Sequence, residues 1–312
     1  MGYPATSVIR SNPWHGGQLG VEGSDICDGL RTAGGCTYYV GDIEVWANAA
    51  DVHNGTDPLY PKATIQAALS ACTDGNGDTV VILPGSYRIE TTLSMVLDGV
   101  RLIGVGWPQG QLGSLVRLDC DDDLDILNIN ANDIEIAGIY FDQSGNESFE
   151  CIEVATTTST SGLHIHHCRF ALGDNGIYLG EGVATWADDV EIDHCAFLQV
   201  YDATTSSGVM VDRARRVLIH DNYFEDEYDK GNYGVHAANT SNPGVIVDRN
   251  DFVFAQAGTC VYRAGTTADI SITNNLFSGT VTGINQIIDG GTHAAWNYLA
   301  NNAGGALVDA TT

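Results

Sequence analysis

Six hexapeptides in this chain repeat one pattern: Ile136–Phe141 (IAGIYF), Ile165–Phe170 (IHHCRF), Ile192–Phe197 (IDHCAF), Ile219–Phe224 (IHDNYF), Val247–Phe252 (VDRNDF) and Ile272–Phe277 (ITNNLF). A β-branched residue opens each and Phe closes each. Cys or Asn holds the fourth place in all but the first. The starts step by 29, 27, 27, 28 and 25 residues. Self-similarity at that period marks a solenoid, in which each unit buries its apolar face only against its neighbours.

The unit is built from strands. Alternation continues upstream of the anchors, as in Leu163-His164-Ile165-His166 and Val190-Glu191-Ile192-Asp193, with apolar residues inward and polar ones outward. A second strand follows each Phe after a variable loop, beginning at Cys151, Gly176, Gly208, Gly234, Cys260 and Gly283. Two strands per repeat, with no 3.6-residue period, predict one coil of a parallel β-helix rather than a helical solenoid. Asn222, Asn250 and Asn275 then stack in a turn, and equivalent residues lie roughly 4.8 Å apart. The pattern extends through Thr79–Leu83 and Arg101–Trp107 and returns, weaker, at Ala294–Leu299.

An open solenoid needs covered ends. Ile65, Leu69 and Cys72 form one apolar helical face, which predicts a capping helix over residues 62–73. The expected organisation is a separate N-terminal arm or module over 1–58, one rod over 59–302 and a tail over 303–312.

The segments TIQAALSAC, GDTVVILPGSYRI (Gly77–Ile89) and VRLIGVGW resemble the opening of the right-handed, pectate-lyase-like β-helix superfamily. With the later anchors, the resemblance covers about Pro61 to Asn302. It implies an all-β, right-handed parallel β-helix. It does not choose a function, because the superfamily includes polysaccharide lyases, glycoside hydrolases, epimerases and virus spikes.

The formal charge is −27, from 40 acidic against 13 basic residues. Lys62 and Lys230 are the only lysines. A surface this acidic and Lys-poor resembles proteins of salt-loving archaea, for which molar salt screens self-repulsion. No basic patch exists to neutralise phosphates, so nucleic acid is not an expected partner. No 18-residue apolar run is present, so no membrane insertion is expected. The N-terminus shows no basic region followed by an apolar stretch, so no secretory signal is expected. Cys151 and Cys260 hold equivalent places several coils apart and cannot pair. Cys168 and Cys195 occupy adjacent rungs of the Asn position. Cys27 and Cys36 are placed to close a local loop.

Three groups of residues carry candidate chemistry. The outward row His166, Asp193, His220, Asp248, Thr273 reads as a metal-binding ladder or as plain cross-strand pairing worth about 0.2–1 kcal/mol per pair. His167 and His194, one place on, read as turn residues. The acidic run containing Asp121, Asp122 and Asp123 has the ligands for Ca²⁺ or another hard cation but lacks an EF-hand's Gly and Glu, so a solvated loop competes. No resident cofactor is expected. The outward places of the second strand read Glu153, Tyr178, Met210, His236, Tyr262 and Asn285, and the loops leading in bring Tyr201, Asp202, Glu225, Glu227, Tyr228 and Tyr233. Rings stack on sugar faces and carboxylates accept hydroxyl protons. Tyr178, Tyr201, Tyr228, Tyr233, His236 and Tyr262 are therefore the expected glycan contacts. Asp202, Glu225 and Glu227 are the carboxylates available for bond cleavage.

The superfamily's familiar catalytic signatures, such as the Asn-Thr-Asp, Asp-Asp and Gly-His-Gly set of polygalacturonases, are not recognisable. A strongly acidic β-helix with a non-repeating N-terminal region resembles tail spikes, fibres and capsid decorations of tailed viruses. The resemblance implies attachment to other virion proteins through residues 1–58, a trimeric rod, host-surface glycan as partner and a virion-surface location. The alternative is an extracellular polysaccharide lyase or glycoside hydrolase.

Overall fold

The computed structural model describes residues 35–105, 116–120, 123–144, 148–155, 157–180, 185–199, 206–226, 233–238, 243–254, 259–263, 269–278, 293–295 and 298–300. Among these residues the chain forms three parallel sheets of ten, nine and seven strands, visited in turn by each coil. The anchors lie in register across coils. In the first sheet Ile136, Ile165, Ile192, Ile219, Val247 and Ile272 are direct neighbours. In the second, Phe141, Phe170, Phe197, Phe224, Phe252 and Phe277 are neighbours. The weak last copy also keeps register, Ala294 beside Ile272 and Leu299 beside Phe277.

Among the described residues, the seven coils from Thr79 to Arg263 each have three strands rather than the two the sequence predicts. The hexapeptide that reads as one extended run turns a corner in its middle. His167, His194, Asp221, Arg249 and Asn274 all adopt left-handed backbone, with φ of 53, 51, 53, 52 and 55°. One such residue ends the first-sheet strand and redirects the chain into the second sheet. His167 and His194 are thus turn residues, as expected. The next residue faces inward at the corner. Asn222 Nδ2 donates to the Ile192 carbonyl (2.9 Å) and to Asn250 Oδ1 (3.1 Å). Asn250 Nδ2 donates to the Ile219 carbonyl (2.9 Å) and to Asn275 Oδ1 (3.0 Å). The Cys195 N–H donates to Asn222 Oδ1 at 2.9 Å, so the cysteines continue the column as smaller rungs. Cys168 and Cys195 are free thiols, and so are Cys36, Cys151 and Cys260; Cys27 lies outside the described residues.

The Phe rings stack at centroid separations of 5.2, 4.7, 4.7, 4.7 and 5.2 Å. That spacing is set by the strands, roughly 4.8 Å apart, and holds the rings nearly face to face. The rings pack against the third sheet where it carries glycine. A Cβ on Gly208 would lie 2.7 Å from the Phe224 ring and 2.7 Å from the Gly234 carbonyl. Gly176, Gly208 and Gly234 leave room in this way for Phe197, Phe224 and Phe252, while Cys151 and Cys260 hold the equivalent place on other coils. The third-sheet strands Ile152–Val154, Asn175–Leu179, Ser207–Val211, Tyr233–Ala237 and Thr259–Arg263 carry the expected inward column Ile152, Ile177, Val209, Val235, Val261.

Two N-terminal expectations change. The strand Thr37–Val40, within the expected arm, pairs in parallel with Thr79–Ile82 and lies at the edge of the first sheet. It carries none of the repeat's Phe or Asn markers, so periodicity could not find it. The helix spans Ile65–Leu69 instead of 62–73. Thr64 Oγ1 caps its start by accepting from Ala67 N–H (3.2 Å). The fully buried Asp78 carboxylate takes the N–H groups of Thr73 and Cys36, both at 2.6 Å, and so pulls the chain after the helix back toward the sheet. Ile65, Ala68 and Leu69 are buried, and the helix packs on Thr37–Val40, Thr79–Ile82 and Leu93–Met95. Residues 1–34 and 301–312 lie outside the described residues.

Candidate functional site

The inner faces of all three sheets are occupied by core residues, so chemistry is confined to outward rows and connections. The third sheet aligns Ser94, Asn128, Glu153, Tyr178, Met210, His236 and Tyr262 in one column, as the sequence predicts from Glu153 onward. Tyr178, Met210 and His236 are half-buried, and Tyr233 joins them, its ring 4.5 Å from that of His236. Burial lowers the His236 pKa to about 4, so the imidazole is neutral at pH 7. Burial, reinforced by Asp212, Glu150 and Asp174, raises the Tyr178 phenol to about 12. The exposed strip is therefore uncharged and aromatic, while the groups around it are acidic.

Those acids were not singled out as a cluster by sequence reasoning. Asp125 accepts the Glu150 N–H at 3.0 Å, and Asn175 Nδ2 donates to Glu150 Oε1 at 3.2 Å. The fully engaged Asn175 in turn accepts the Ser207 N–H through Oδ1 (3.1 Å), which fixes its amide toward Glu150. Burial, then the hydrogen bond to Asp125, pushes the Glu150 carboxyl up to about 8. Burial alone raises Asp174 to about 6. Glu150 is thus biased toward its protonated form beside the Asp125 carboxyl group. That pairing is what proton donation to a leaving oxygen requires. One signal pointed here: Glu150 and Asp174 each stand just before a third-sheet strand.

The other expected site residues are dispersed. Glu225 lies on the second sheet, in register with Leu198 and Val253, and not on the face of Tyr178. It lines a groove of about 910 Å³ that runs along the corner past His167, His194, Asp221 and Arg249. Tyr201, Asp202, Glu227, Tyr228, Asp121 and Asp122 lie outside the described residues, Asp123 is exposed, and of Tyr262 only the backbone register is described.

The outer face of the first sheet carries the charges. The predicted row is in register, His166 beside Asp193, then His220, Asp248 and Thr273. Arginines on adjacent coils grip carboxylates with both fork nitrogens: Arg215 on Asp188 (2.7 and 2.5 Å), Arg216 on Asp189 (2.5 and 2.8 Å) and Arg249 on Asp221 (3.0 and 2.7 Å). Among the described residues, no helix is long and apolar enough to cross a membrane.

A family model described as "Right handed beta helix region" matches residues 114–303. No curated protein matches the chain. Among solved structures, a pectin methylesterase variant in complex with a hexasaccharide aligns with a TM-score of 0.58 at 11% identity, covering 84% of this chain and 89% of that one. An alginate lyase from Paenibacillus sp. str. FPU-7 aligns with a TM-score of 0.48 at 14% identity, covering 77% of this chain and 93% of its own. ORF18 of Geobacillus virus E2 aligns with a TM-score of 0.40 at 12% identity, covering 86% and 60%. At these identities the likeness is one of fold.

Proposed function

The chain belongs to the right-handed β-helix family, and from that premise we propose that it is a virion surface protein, a capsid decoration or tail spike, whose rod contacts host-surface glycan. The observation that carries the glycan contact is the third-sheet strip of Tyr178, Met210, Tyr233 and His236, half-buried and bordered by carboxylates. Aromatic faces stack on sugar rings, the neutral imidazole offers a hydrogen bond without a charge, and the flanking acids accept hydroxyl protons. On this reading the segment that precedes Thr37, where the first strand of the rod begins, holds other virion proteins, and the rod trimerises. The charge of −27 fits a particle assembled in brine. Melting temperature should then fall as salt is lowered from molar to about 0.1 M, where the Debye length grows to about 10 Å; a flat response would remove the halophilic host from the proposal.

A second reading has its own observation. Glu150, biased toward its protonated form beside Asp125, is equipped as a general acid, and the rod would then be a depolymerase acting on the same glycan. Incubation with surface polysaccharide of a susceptible host separates the two. Binding without new reducing ends or unsaturated sugars, weakened by Tyr178→Ala and His236→Ala, supports the adhesin. Release of such ends, abolished by Glu150→Gln, makes the protein an enzyme. Neither binding nor release removes the glycan from the proposal.

A further inference from the structure

We propose that the outer face of the first sheet holds a divalent transition-metal site of Zn²⁺ type, formed by His164, Glu191 and Asp193. The three residues lie on neighbouring strands, Thr160–His166 and Ala187–Asp193, with His164 directly opposite Glu191 and Asp193 two places further on the same face. One ligand atom from each lies within 4.8 Å of the others. His164 Nε2 is already 2.6 Å from Asp193 Oδ1. An ion with bonds of about 2.0–2.2 Å holds its ligands roughly 3.3 Å apart. Accommodating it takes a slight widening of the His164–Asp193 contact and an inward swing of Glu191, whose side chain is 47% exposed and has room to move.

The surrounding groups favour this geometry over simple pairing. In an ordinary cross-strand ladder each residue meets one partner. Here Asp193 bonds the His164 imidazole while Glu191 stands directly opposite it, and each carboxylate also meets a second imidazole. His194 Nδ1 lies 2.5 Å from Asp193 Oδ2, which leaves Oδ1 facing His164. His220 Nε2 lies 3.0 Å from Glu191 Oε1, and its Nδ1 is in turn 2.7 Å from Asp221 Oδ2. Such outer partners orient metal ligands and tune affinity. The ligand set also selects the ion. One imidazole with two carboxylates suits Zn²⁺ and its first-row neighbours, with water completing the shell. It does not suit Ca²⁺, which takes six to eight oxygen ligands. The site is therefore distinct from the hard-cation site expected at Asp121, Asp122 and Asp123.

Titration of the whole chain with ZnCl₂ in a chloride buffer near pH 7.5, followed calorimetrically, tests this. One Zn²⁺ per chain should bind, and both His164→Gln and Glu191→Gln should weaken it at least about ten-fold. His53→Gln, remote from the face, should leave it unchanged. Because His164 and Glu191 are on the surface, circular dichroism should show both variants folded, and two substitutions on separate strands guard against one misfolding. Co²⁺ in place of Zn²⁺ should give a visible d–d band that His164→Gln alters. Absence of binding up to about 1 mM Zn²⁺, an affinity untouched by both variants, or equal binding of Ca²⁺ would each overturn the site.

Discussion

The five coils from Thr160 to Phe277 pass from the first sheet to the second through one left-handed residue and one inward Cys or Asn. Connections from the second sheet to the third range from residues 173–174 to residues 143–151. The two regions sit on the same rod and obey different constraints. At the corner, side-chain amides bond from coil to coil, so any change of length breaks a rung above and a rung below. Among the described residues of the second connection no such column is found, and each coil carries its own residues. The carboxyl cluster of Asp125, Glu150 and Asp174 lies on that looser side. Chemistry collects where the repeat does not dictate the residue.

The same contrast explains what the sequence disclosed. The Phe and Asn columns were readable because stacking requires the same residue type at every period, and the outward row from His166 to Thr273 followed from alternation alone. The third strand per coil was hidden because a single left-handed residue such as Asp221 or Arg249 carries no marker. Glu150 and Asp174 were hidden for the opposite reason, as each occurs once. The triad was half visible: His164 and Glu191 stood in the alternating segments, but that Asp193 reaches diagonally to His164 is a property of side chains and not of spacing.

The largest expected effect breaks the strict side of the comparison. Phe224 is 1% exposed and stacked between Phe197 and Phe252. Phe224→Ala should cost about 3–5 kcal/mol in denaturant unfolding, since the gap cannot close without shifting rings on both sides. A loss below about 1 kcal/mol would mean that the column is not the rod's spine.

Next comes the corner. Asn250 uses its full amide, accepting from Asn222 N–H and Nδ2 and donating to Ile219 and Asn275. Asn250→Ala orphans buried groups on both neighbouring coils, and unfolding stability should fall by about 2–4 kcal/mol at 1–3 kcal/mol per orphan. A neutral result would show that the ladder decorates the corner rather than holding it.

The looser connection should show itself through pH. The folded Glu150 carboxyl titrates at about 8, against 4.5 unfolded. Between those values the folded state keeps a proton that the unfolded state has released. Glu150's contribution to stability is therefore fully present below about 4.5, declines as pH rises, and is lost above about 8. At about 1.36 kcal/mol per pKa unit the total is on the order of a few kcal/mol, the shared proton with Asp125 reducing it. Glu150→Gln should flatten the stability profile across this window and be the more stable protein at pH 9. An unchanged slope in the variant would assign the pH dependence elsewhere and leave the proton-donor reading without its acid.

The smallest expected effect asks whether the corner tolerates either of its two residue types. Cys195 stands one rung from Asn222, and its Sγ lies 3.7 Å from the Ile165 carbonyl, the equivalent of the carbonyl that each Asn amide reaches. Burial raises its thiol well above the usual range, so it serves there as a small neutral side chain. In Cys195→Asn, Nδ2 should bond the Ile165 carbonyl and Asn222 Oδ1, while Oδ1 faces the Cys168 rung. The new bonds offset the burial of a polar amide, and the net change in unfolding stability should stay within about 1 kcal/mol of zero. A loss of about 3 kcal/mol or more would show that the corner near His194 is shaped for sulfur. The Cys rungs would then be a separate device from the Asn ladder, placed beside the first-sheet face where His164, Glu191 and Asp193 lie together.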